Sequence, residues 1–162
     1  MLTPGFAKHP CYACTTVKTK QESWAWITEW VESLPSQNTN WAPFTAFVVP
    51  VLRACVRAGL NDYFRAGQSM SHIIFSTAEE HGLEKYSPPP PRVTLLHDRK
   101  KNQWFIAWSR WNLLVKPEAM ERQECVTSET VLPTLKSYLS DLWRETRQGE
   151  PLPAALEEQA SW

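Results

Sequence analysis

Cys11 and Cys14, in the stretch HPCYACTTVKT, have the Cys-x-x-Cys spacing of a zinc knuckle or a redox dithiol. A structural zinc takes a tetrahedron of ligands, so the pair supplies only half of a site. His9 is near enough in sequence to be a third ligand, but no second Cys-x-x-Cys and no spaced histidine pair completes the set. A redox pair needs a helix N-terminus beside it, because the helix dipole stabilises the thiolate. The β-branched run after Cys14 does not open a helix. The expectation is a structural or incidental pair in an extended arm, with no metal or other cofactor assigned. His9, Cys11 and Cys14 are the residues that a zinc or redox role would use.

A second constellation lies in SMSHIIFSTAEEH. On a helix, His72, Ser76 and either Glu79 or Glu80 fall along one side, giving a base, a nucleophile and a carboxylate. A single helix face sets such groups in line rather than around one substrate atom. No Gly-x-Ser-x-Gly elbow and no His-Glu-x-x-His motif accompanies them. The expectation is a polar face with His72 hydrogen-bonded at the edge of the core, and no catalytic residue is assigned.

The third is HDRKKNQWFIAWSRW with Arg92 shortly before it, where Arg92, Arg99, Lys100 and Lys101 stand against Asp98, and Trp104, Trp108 and Trp111 follow. Stacking aromatics beside cations are what single-stranded nucleic acid needs. A charged hairpin tip is also the ordinary way to end two strands. Strand alternation in QWFIAWS points Trp104, Ile106 and Trp108 to one face and Phe105 and Ala107 to the other, so both faces are apolar. Either helices cover both faces, or one face meets a partner. Trp and Arg concentrate binding energy at interfaces, and Arg110 lies between Trp108 and Trp111. Trp104, Trp108, Arg110 and Trp111 are therefore the expected partner-binding residues, with burial in the core as the competing outcome.

The elements that position these residues come from periodicity and capping. Thr19 and Glu22 have the spacing of a capping box, opening a helix over 20–34 with Trp26, Ile27, Trp30, Val31 and Leu34 on its apolar side, stopped by Pro35. Phe44, Phe47, Val48, Val51, Leu52, Cys55 and Val56 predict a second helix ending before Gly59 and kinked or split at Pro50. A third helical pattern runs from Asn61 to His81, though Gly67 and HIIFST leave room for a break or a short strand. SPPPP at 87–91 reads as a stiff spacer. RVTLL and QWFIAWS predict a β-hairpin, ECVTS a further strand, and the stripe from Val131 to Trp143 a final amphipathic helix.

A chain of 162 residues is the size of one domain and can bury a core without staples. Seventeen basic against seventeen acidic residues leave no general field for nucleic acid or anionic lipid. The most apolar stretch, 41–56, contains two prolines and an arginine and is shorter than the roughly 20 residues of a membrane span. MLTPGFAKHP does not read as a secretory signal, so the expected location is the cytoplasm, where the four cysteines stay reduced.

The fold expected is α+β: a helical N-terminal half, an antiparallel hairpin or three-stranded sheet, and a C-terminal helix packed on it. Residues 1–18 form the arm, 19–149 the domain and 150–162 a flexible tail. The function expected first is a non-catalytic interaction module of the immunity, adaptor or accessory-subunit type, binding a protein partner or a second copy through the hairpin. The second is an enzyme or small-ligand binder with a tryptophan-lined pocket and His72, His81 or His97 as acid or base. Nucleic acid and membrane are not expected partners.

Overall fold

The computed structural model describes residues 19–35, 41–80 and 83–157. The predicted arm, with His9, Cys11 and Cys14, lies outside the described residues, as does His81. The α+β architecture is as expected: a helical N-terminal region, a sheet, and a C-terminal helix packed on that sheet. The sheet is five-stranded rather than two- or three-stranded, all antiparallel, in the order β1-β2-β3-β4-β5.

Helix α1 (Lys20–Ser33) begins with the predicted capping box. The Glu22 N–H donates to Thr19 Oγ1 at 3.0 Å, and the Thr19 N–H donates to the Glu22 carboxylate at 3.3 Å. Its buried side is Ser23, Trp24, Ile27 and Val31, whereas Trp26 and Trp30 are half-buried at the margin. The stripe is thus rotated from the expected one. Trp24 takes the core because its Nε1–H reaches the Phe64 carbonyl at 2.7 Å, which satisfies the one polar atom the ring must bury.

Helix α2 (Ala42–Arg57) runs unbroken through Pro50, which faces solvent. Gly59 follows in the left-handed region at φ 81°, a conformation that stops the helix at no steric cost. The helix expected from Asn61 to His81 is instead a β-hairpin, β1 (Arg65–Ser69) and β2 (His72–Ser76), joined by a two-residue turn in which Met70 has φ 50°. The apolar residues there alternate, with Ile73 and Phe75 inward, and this period of two outweighs the weaker helical one.

The hairpin predicted around HDRKKN is β3 (Arg92–Asp98) and β4 (Gln103–Ser109), in register from Arg92 opposite Ser109 to Asp98 opposite Gln103. The expected further strand is β5 (Met120–Val126), longer than ECVTS. Helix α3 (Val131–Thr146) buries Val131, Leu135, Tyr138, Leu139, Leu142 and Trp143, close to the expected stripe. The tail expected to be loose from residue 150 is held as far as Leu156: that side chain is buried, and Trp143 Nε1–H donates to the Pro151 carbonyl at 3.0 Å.

All three helices bury their apolar sides in one cluster with Ile73, Phe75, Val93, Leu95, Trp104, Ile106, Trp108 and Val126. These strand residues all point to the same face of the sheet. Among the described residues, helices therefore cover one face, and only loops lie on the other.

Candidate interaction surface

On β4, Trp104 is 8% exposed and Trp108 6%. Trp104 stacks on Phe47 of α2 with centroids 4.1 Å apart, touches Phe44 at 5.7 Å, and carries His97 against its other side at 4.5 Å. Trp108 sits beneath the Arg122 guanidinium, which also covers Tyr138 of α3. These two of the expected partner-binding residues are core, because the helices lie on the face to which their strand positions point. Arg110 is engaged within the fold, pairing with Glu145 of α3 and with Glu121 of β5. Trp111 is half-buried, with the Lys116 ammonium 3.7 Å from its ring centroid.

The helix-free face is built by the alternate residues. Leu96 stands opposite Phe105, and Phe105 opposite Cys125; Ile74 stands opposite Thr94, and Thr94 opposite Ala107. Thr94, Ala107 and Ser109 are buried, and the cover nearest to them is the excursion of residues 110–119 between β4 and β5. That excursion crosses back to β1, where Asn112 Nδ2 donates to Ser69 Oγ at 3.0 Å, and it buries Leu113 apart from the main core. Ile74, Leu96 and Phe105 remain only half-covered, and Cys125 is exposed.

Three of the five exposed large apolar side chains among the described residues belong to the adjoining turn and excursion; the other two, Val56 and Tyr86, lie elsewhere. Met70 in the β1–β2 turn is 69% exposed, and Leu114 and Val115, just past the Asn112 anchor to Ser69, are 40% and 74% exposed. The turn between β3 and β4 adds Arg99, Lys100 and Lys101, none of which makes an ion pair among the described residues. Asp98 is turned inward on this tip, accepting from the backbone N–H groups of Lys100 and Lys101. An apolar strip with an uncompensated basic end results.

The hydrolase-like set does not assemble. His72 and Ser76 sit at opposite ends of β2, about 13 Å apart along the strand. Glu79 is taken by Lys20 at 2.9 Å and Arg147 at 2.8 Å, and these hydrogen bonds, Lys20 first, hold its carboxyl below the usual range. Glu80 is paired with Lys85, which lowers it likewise. His97 bonds Asn102 through Nε2 at 3.1 Å and stacks on Trp104.

An open depression of about 490 Å³ lies between α1 and α2, lined by Trp24, Thr28, Arg53 and Val56. A second of about 350 Å³ lies by Thr77, Tyr86 and Arg147. Neither contains a histidine. Burial pushes the Cys55 thiol up to about 12, which keeps it protonated and unreactive. Among the described residues, no three of His, Cys, Asp and Glu gather as a metal-binding group, and no helix is long and apolar enough to cross a membrane.

His72 lies on the helix-free face with Nδ1 buried and unpartnered, and burial lowers its pKa. The native state therefore resists protonating it. As pH falls below about 6.5 the unfolded chain takes up that proton first, so stability declines. Urea unfolding at pH 7.5 and 5.5 is expected to show this decline in the wild type and a smaller one in His72→Gln. Glu79 and Glu80, held below the usual carboxylate range by their cationic partners, do not contribute in that window.

No protein-family model matches the chain, and no match was found among curated proteins or solved structures. The functional reading accordingly rests on the geometry of the site.

Proposed function

We propose that this chain is a non-catalytic protein-interaction module of the immunity, adaptor or accessory-subunit type. It binds, through the helix-free face of its sheet, a protein segment that presents apolar side chains flanked by carboxylates. The observation that carries this reading is the strip of Ile74, Leu96 and Phe105, continued by Met70, Leu114 and Val115, which the described residues leave half-covered to exposed. Apolar area gathered on one side marks interaction sites more reliably than the same residues scattered singly. Lys100 and Lys101 at one end, which make no ion pair among the described residues, select the acidic flank by charge, while the Arg99 guanidinium beside them lies over the Trp41 ring at 5.1 Å. Nucleic acid is the poorer fit, because Trp104 and Trp108, the rings that would stack bases beside this tip, are in the core. In this reading the chain works in the cytoplasm, where Cys55 and Cys125 remain free thiols.

A random peptide display library panned against the immobilised full chain tests this. Enriched sequences are expected to combine aromatic or branched residues with Asp or Glu. Their affinity should fall at least about tenfold for Phe105→Asp, the size of a lost interface anchor, and weaken for Lys100→Glu with Lys101→Glu. Peptides that bind the wild type and Phe105→Asp equally, or enrichment without acidic residues, contradict the reading.

A further inference from the structure

The sheet's two edges are finished differently. At β1, helix α1 closes the edge: the Ala66 N–H donates to Ser23 Oγ at 3.0 Å, and Trp24 occupies the Phe64 carbonyl. At β5 no strand pairs with the outer side among the described residues, and residues 121–125 are all exposed. An open edge presents a row of N–H and C=O groups to any extended chain, and proteins commonly guard it with repelling charges. β5 instead carries both signs, Glu121, Arg122 and Glu124.

We propose that β5 is a self-association edge on which the β5 of a second copy of this chain pairs antiparallel about a two-fold axis at Gln123. Such an axis, normal to the sheet, keeps the helices of both copies on one side, so facing residues must point to the same face. Centred on Gln123, Arg122 faces Glu124 of the second copy and Glu124 faces its Arg122. Met120 faces Val126, and Glu121 faces Cys125. Centring on Glu121, Arg122 or Glu124 sets like charges against each other, which is unfavourable across strands. A centre on Cys125 shortens the ladder. The Gln123 register alone uses the whole strand and converts its charges into two attractive pairs.

Arg122 is prepared for this role. Its guanidinium lies over the rings of Tyr138 at 4.3 Å and Trp108 at 5.2 Å, with Asp141 at 2.7 Å, and its fork has donors left for a second carboxylate. This edge adjoins the strip, since Cys125 stands opposite Phe105, but the pairing charges lie on the helix-covered face, where Arg122 stands opposite Trp108 and Glu124 opposite Ile106, so the edge does not depend on the function proposed above.

Sedimentation equilibrium of the full chain tests the edge, with far-UV circular dichroism to confirm folding. The wild type is expected to dimerise. Glu124→Arg should raise the dimer Kd at least about tenfold by turning both pairs repulsive, and Arg122→Glu combined with Glu124→Arg should restore association. Because Arg122 also touches Asp141 and that double variant can unfold, a second variant fixes the register. Glu121→Cys, mildly oxidised, should form an intermolecular disulfide to Cys125, identified by peptide mapping. A wild type that stays monomeric, a dimer indifferent to Glu124→Arg, or an oxidised Glu121→Cys without that cross-link overturns the proposal. Binding of the acidic peptides measured alongside reports on the Phe105 face alone, so loss of either property is read independently.

Discussion

Replacing Trp104 by alanine is expected to cost about 3–5 kcal/mol of folding stability, the range for deleting a large aromatic from a packed core. Trp104 is the ring on which α2 seats Phe44 and Phe47, and its neighbour across the strand pair, His97, stacks on the same ring. Removing it opens a void between helix and sheet that neither Phe47 nor Ile106 can fill without leaving its own place. Phe105, one residue along, points the other way and is only half-buried. Phe105→Ser is expected to cost about 1–2 kcal/mol, the scale of losing a half-buried aromatic, and so less than Trp104→Ala. Urea unfolding of the two variants checks the contrast. Against a domain stability of roughly 5–15 kcal/mol, the first change removes a large share and the second a small one.

The second large effect is at Trp24. Trp24→Ala is expected to lose about 3–5 kcal/mol through the cavity beside Phe75, whose ring lies 5.3 Å away. Trp24→Phe keeps most of the volume but leaves the Phe64 carbonyl without its donor, a loss of about 1–3 kcal/mol for a buried orphan. Trp26→Ala, at the half-buried margin of the same helix, should cost less than either. Thermal or urea unfolding of the three variants orders them, and Trp26→Ala as the most damaging would mean that α1 lies on its other side.

Which tryptophan goes inward could not be read from α1 alone. Trp24, Trp26, Ile27, Trp30 and Val31 spread apolar residues over an arc of about 160°, too wide for periodicity alone to say which edge of it goes inward. The choice is made by a hydrogen-bond acceptor forty residues away in sequence. The capping box at Thr19 and Glu22, the stop at Gly59, the β3–β4 hairpin and α3 were legible, because each depends on residues within a few positions of one another.

The β1–β2 hairpin is hidden in the sequence for a physical reason as well. Its strands are short, and Arg65, Gly67 and Gln68 carry no apolar alternation, so only HIIFST showed the period of two. With β2 mistaken for helix, His72 and Ser76 looked like neighbours one turn apart when they lie at the two ends of a strand. At the interaction surface the sequence revealed that β4 is apolar on both faces. It did not reveal which face the helices would take, since that is decided by packing of α1, α2 and α3 together. Tryptophan content drew attention to Trp104 and Trp108, whereas the face left open belongs to Phe105, Leu96 and Ile74.

Hydroxyl-radical footprinting of the full chain, free and with an acidic apolar peptide bound, tests the central claim most directly. The account predicts that Met70, Leu96, Phe105, Leu114 and Val115 are oxidised in the free protein and protected by the peptide, while Trp104 and Trp108 stay unmodified in both. Oxidation of Trp104 together with protection of Phe105 in the free chain, or peptide binding that leaves the Phe105 face equally reactive, would contradict it.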